Sequence, residues 1–142
     1  MKLVVGYGNP KCGDDGIGVY AAEKVAEADL PNVETRIFNN LPLELVPDIH
    51  RYSPVIFIDA GVQVADVQMI PVQPVLGDVS IAMSHALVPG LVTHLSEMLY
   101  GIKTNAFVCT ILGEDFTPGK GITEGARHRA DQAVEEILKK LA

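Results

Sequence analysis

The sequence predicts an α/β fold: a three-layer α/β/α sandwich around a mostly parallel, twisted sheet of about five strands. Three observations predict it. Short apolar runs alternate along the chain with segments of helical periodicity. Residues 3–6 and 55–58 are continuously apolar, as strands covered on both faces must be. The chain has 142 residues, 48% hydrophobic and 20% charged, which is enough for a sizeable core and too apolar for disorder. Internal repeats, linkers and low-complexity stretches are lacking, so residues 1–142 read as a single domain.

The elements follow in order. Residues 3–6 form a buried central strand ending at glycine. A glycine-broken loop then leads to Asp14 and Asp15, one of which caps a helix carrying Ile17, Tyr20, Ala21 and Val25 at helical spacing. Residues 33–38 alternate and read as a strand more exposed on one side. Residues 42–50, with Leu45, Val46 and Ile49, read as a short helix stopped before Pro54. Residues 55–58 are the most apolar strand and stop at Asp59-Ala-Gly61. Residues 68–72 lie between prolines and suit a sheet edge. Residues 77–84 read as a loop. Residues 87–100 place Val88, Leu91, Val92, Leu95 and Leu99 on one helical face, with Pro89 in the first turn. Residues 106–112 are a strand ending at Gly113-Glu-Asp115. Residues 123–141 form the clearest amphipathic helix in the chain.

Composition narrows the function. A net charge of −7 with scattered basic residues argues against nucleic acid as partner. Cys12 and Cys109 are the only cysteines and lie far apart, which argues against a disulfide framework or a structural zinc site. No apolar run is long enough for a bilayer, and no cationic-then-apolar leader opens the chain. The expectation is a cytoplasmic protein without a membrane partner.

Three predicted strands run into acids: the first at Asp14 and Asp15, the third at Asp59, the last at Glu114 and Asp115. Parallel strands share one carboxyl edge, where open α/β sheets hold ligands. His85 precedes a predicted helix, in a loop that can reach the same edge. The Gly-rich first loop looks like a phosphate cradle, but two anions stand where an anion would sit, so the loop points to a cation. Two carboxylates with an imidazole suit zinc, nickel or iron better than calcium. The same groups could serve as general acids and bases. Simpler roles exist for each: helix capping for Asp14 or Asp15, hydrogen bonds to loop amides for Asp59, a surface or capping group for His85, a polar turn for Glu114 and Asp115. Cys12 reads as a small loop residue, and His50, His94 and His128 fall in predicted helices.

With these residues in hand, the chain resembles the hydrogenase maturation endopeptidases. Gly6-Tyr-Gly-Asn9 with Asp14-Asp-Gly-Ile-Gly18, Leu41-Pro-Leu-Glu-Leu45, Ile58-Asp-Ala60, Ser84-His-Ala-Leu87 and Leu112-Gly-Glu-Asp-Phe116 carry the likeness over nearly the whole length. The resemblance implies a protease that removes the C-terminal tail of a nickel–iron hydrogenase large subunit after nickel insertion. It implies that Asp15, Asp59 and His85 are the catalytic residues and contact the metal. It also implies that nickel arrives with the substrate rather than as a tightly bound cofactor, with cadmium or zinc able to substitute in vitro. Asp15 is then the ligand, and Asp14 the cap or loop support. The expected partner is the nickel-loaded precursor, docked near loops 59–67 and 77–84, and the free protein is expected to be a monomer.

Two other readings compete. Gly6-Tyr-Gly-Asn-Pro10 also resembles the opening of peptidyl-tRNA hydrolases. That family, however, expects a His-Asn pair where Asp14 and Asp15 stand, and it binds a polyanion that this chain would repel. A non-catalytic module that holds a metalloprotein precursor, or a flavodoxin-like nucleotide binder, would need only the loop.

Overall fold

The structure is a computed structural model that describes residues 1–62, 64–73 and 87–142. Its strands are β1 (Lys2–Tyr7), β2 (Val33–Phe38), β3 (Val55–Gly61), β4 (Val67–Pro71) and β5 (Ala106–Leu112). Its helices are α1 (Ile17–Glu27), α2 (Pro89–Tyr100) and α3 (Glu124–Leu141). The strands make one five-stranded sheet in the order β2-β1-β3-β5-β4. β2, β1, β3 and β5 run parallel, and β4 closes one edge antiparallel to β5. The proline-flanked segment is therefore the edge strand its composition predicts, with Pro71 at its last position.

Side-chain alternation along each strand divides the core into two layers. Val4, Ile56, Ile58, Cys109 and Ile111 pack against α1 and α3. Leu3, Val5, Val55 and Phe57 face the other way, against Leu45, Ile49 and Val92 of α2. Helices thus cover both faces, as continuous apolar runs in β1 and β3 require.

Four expectations are corrected. Residues 42–50 hold no α-helix but two separate 3-10 turns, Leu43–Leu45 and Ile49–Arg51. Nine residues are too few to repay helix nucleation, and two short turns suffice to bury Leu45, Val46 and Ile49. β3 does not stop before Asp59 but runs on to Gly61. Pairing with β1 ends at Gly6 opposite Ile58, whereas pairing with β5 continues to Gly61 opposite Leu112. α2 begins at Pro89, because the residue before proline is driven to extended backbone; Val88 has φ −123° and ψ 160° and is half exposed. Leu99 is exposed as well. Tyr100 closes that last turn instead, its ring stacked 4.3 Å from the ring of His50. Fourth, neither Asp14 nor Asp15 caps a helix.

Among the described residues, no helix is long and apolar enough to cross a membrane.

Candidate functional site

The loop after β1 is shaped by glycines that let backbone approach backbone. Gly8 has φ +137°, and a Cβ there would lie 2.0 Å from the carbonyl oxygen of Asp15. A Cβ on Gly18 would lie 2.4 Å from the carbonyl oxygen of Ile58 and 2.6 Å from that of Tyr7. The start of α1 therefore rests directly on the carboxyl ends of β1 and β3. Both aspartates sit just before it, in the 3-10 turn Gly13–Gly16.

Neither caps a helix. Cys12 and Gly16 occupy the cap positions, with no side-chain cap bond at either. The two carboxylates instead have separate tasks. Asp14 is fully buried. Its Oδ2 accepts from the backbone N–H groups of Glu114 at 2.7 Å and Asp115 at 3.1 Å, and from the Thr123 hydroxyl at 2.9 Å. Its Oδ1 accepts from the Thr123 N–H at 2.6 Å. Burial pushes the Asp14 carboxyl up, but these donors outweigh it and hold the group below the ordinary carboxylate value. Asp14 is thus a latch joining the first loop to the β5–α3 connection. The Thr123 hydroxyl also caps α3 through the Ala126 N–H at 3.2 Å.

Asp15 points elsewhere. Its Oδ2 accepts from the Asn9 N–H at 2.7 Å, and the side chain is only half buried. Asp59 lies beyond the last β1–β3 pair, on the α2 face of the sheet. Its Oδ2 accepts from the Tyr7 hydroxyl at 2.7 Å. Its Oδ1 is buried and has no hydrogen bond from any described residue. Burial raises the Asp59 carboxyl, and the negative charge of Asp15 adds to the rise. The hydroxyls of Tyr7 and Thr110 oppose it without cancelling it, the second without the geometry of a full hydrogen bond. Burial, Asp59 and Asp15 in turn raise Tyr7, which stays protonated as a donor. The charge of Asp15 therefore reaches Asp59 at this edge of the sheet.

A cavity of about 270 Å³ opens beside Asp59, bounded by Tyr7, Ile70, Val72, Val88 and Pro89. The start of α2 thus returns the chain to Asp59. His85 and the loop 77–84 lie outside the described residues, as does residue 63 of the loop 59–67. Among the described residues, no three His, Cys, Asp or Glu side chains gather to hold a metal ion.

Glu114 and Asp115 are a polar turn. Glu114 pairs with Arg129 at 2.7 Å and Asp115 with Lys120 at 3.3 Å, while their N–H groups hold Asp14. Tyr7 escaped the sequence reading, because a tyrosine ending an apolar strand reads as core. The signal was its place one residue after the glycine that pairs with Ile58, which puts it beside Asp59.

No protein-family model matches the chain, and no curated protein matches it by sequence. Solved structures do match. One is the [NiFe] hydrogenase maturation protease HycI from Thermococcus kodakarensis, with TM-score 0.75 and 24% identity over 98% of this chain and 90% of that one. The chain has the fold of the hydrogenase maturation proteases. The maturating endopeptidase HybD from E. coli superposes with TM-score 0.74 and 23% identity, over 99% of this chain and 92% of that one. A hydrogenase 2 maturation peptidase from a Thaumarchaeota archaeon gives 0.70 and 19%, over 100% and 99%. The maturation-protease fold accounts for the three layers and for the edge on which Asp15 and Asp59 stand.

Proposed function

We propose that this protein is an endopeptidase that removes the C-terminal tail of a nickel–iron hydrogenase large-subunit precursor once nickel has been inserted. The observation that carries the reading is the pair Asp15 and Asp59. Two carboxylates from distant parts of the chain stand near the carboxyl ends of β1 and β3, close enough for the charge of Asp15 to raise Asp59, and one oxygen of Asp59 is buried without a partner among the described residues. A buried carboxylate left in that state has a use for a cation. The fold shared with structures named as hydrogenase maturation proteases and peptidases supports the reading.

Nickel belongs to the substrate in this scheme. Asp15 and Asp59, with His85 from the segment before α2, form a set of oxygen and imidazole donors suited to a borderline divalent ion. Only a loaded precursor offers the ion, so the carboxylates tie cleavage to completed metal insertion. The partner docks at the edge holding Asp15 and Asp59, and the chain works in the cytoplasm as a monomer.

The test is cleavage of nickel-loaded and nickel-free precursor, with products weighed by mass spectrometry. Loss of a short C-terminal peptide from the loaded form alone is expected. Asp15→Ala, Asp59→Ala and His85→Ala should each reduce cleavage at least about 100-fold, in line with loss of a direct ligand rather than an outer contact. Equal cleavage of both precursors removes the nickel-gated part of the reading. A folded protein that cleaves neither form refutes it altogether.

A further inference from the structure

Among the described residues, the Tyr7 hydroxyl donates to one site atom, Oδ2 of Asp59, at 2.7 Å. Strand register puts it there. Gly6 pairs with Ile58, so Tyr7 and Asp59 are the next residues along two adjacent parallel strands. Both lie on the face shared by Leu3, Val5, Val55 and Phe57, and the Tyr7 ring packs against that cluster. The ring is therefore seated before any ligand arrives, and its hydroxyl meets the carboxylate from a rigid strand rather than from a loop.

A hydrogen bond made only to compensate burial would leave no carboxylate oxygen unpaired. Here Oδ2 is paired, whereas Oδ1 is buried with no hydrogen bond from a described residue. Leaving a buried acceptor unmade is costly, so the division of labour between the two oxygens calls for an explanation. Carboxylates that bind ions are commonly held by such an outer hydrogen bond, which fixes their orientation.

We propose that Tyr7 is a positioning residue for Asp59: its hydroxyl occupies Oδ2, fixes the rotation of the carboxylate, and reserves Oδ1 for a divalent cation. The proposal rests on the reading of Asp59 as a contact to the metal of the substrate. Phenylalanine at position 7 would keep the packed ring and remove the hydrogen bond that holds Oδ2.

The test uses the full chain as wild type, Tyr7→Phe and Asp59→Ala, each checked for folding by its thermal transition, with cadmium as the probe in calorimetric titration. The wild type should capture cadmium, Asp59→Ala should lose it, and Tyr7→Phe should bind about 10–100-fold more weakly. Tyr7→Phe that binds within twofold of the wild type, while Asp59→Ala does not bind, overturns the positioning role and leaves the site reading intact. Binding by Asp59→Ala equal to wild type overturns both. If the free protein captures no cadmium, cleavage of the loaded precursor decides: kcat/KM should fall by the same 10–100-fold in Tyr7→Phe, and an unchanged value overturns the proposal. A lowered melting temperature with unchanged binding and cleavage makes Tyr7 structural only, which also overturns it.

Discussion

Asp14 and Asp15 are chemically identical neighbours with opposite fates. Asp14 spends both oxygens on four donors inside the protein, whereas Asp15 accepts one hydrogen bond from the described residues and stays half exposed. Asp14→Ala should therefore behave as a stability mutant. Removing the carboxylate leaves buried N–H groups unpaired and should cost about 3 kcal/mol, or roughly 10 °C in melting temperature for a domain of this size. The sign with pH follows from the depressed carboxyl of the folded state. Its stabilisation is complete above the ordinary value of 3.8 and is lost as pH falls through the lower folded value. The gap between wild type and Asp14→Ala should thus be level at neutral pH and narrow in acid. A gap that widens in acid, or none at pH 7, would show that the latch contributes nothing.

At the scale of elements, α1 is held to the sheet by the absence of a side chain. Its first turn lies on the Ile58 and Tyr7 carbonyls only because residue 18 is glycine. Gly18→Ala would force the helix off the ends of β1 and β3. The expected loss is about 1–3 kcal/mol, the usual penalty for overpacking, measured by urea unfolding. Because Asp15 immediately precedes this helix, cleavage should fall more steeply than stability. A fully active Gly18→Ala protein would show that the close approach does not position the site. Element identity was legible in the sequence where periodicity was strong, as in β1, β3, β5 and α3. It was misjudged at residues 42–50, where apolar spacing alone cannot tell a helix from two turns, and at Val88 and Leu99, where Pro89 and the Tyr100–His50 stack redirect the ends of α2.

For the whole molecule, the net charge of −7 sets which partners can approach. The glycine-rich opening shared with peptidyl-tRNA hydrolases makes a direct prediction. Transfer RNA should show no saturable binding in fluorescence anisotropy at physiological salt, since no clustered phosphate contacts are on offer. Saturable, salt-sensitive binding would revive the hydrolase reading and count against the protease.

The sequence by itself determined the layers and the edge. Alternating apolar runs and helical stripes dictate a parallel sheet covered on both faces, and parallel strands carry Asp15 and Asp59 to one side of it. Tertiary structure alone decided what each acid does there. Asp14 became a latch because Thr123 and the turn at Glu114, about a hundred residues away, fold back onto it. Asp59 acquired its partner because strand register sets Tyr7 beside it. Local spacing carries periodicity and propensity, but hydrogen-bond partners and desolvation depend on contacts between distant segments, which exist only once the chain has folded.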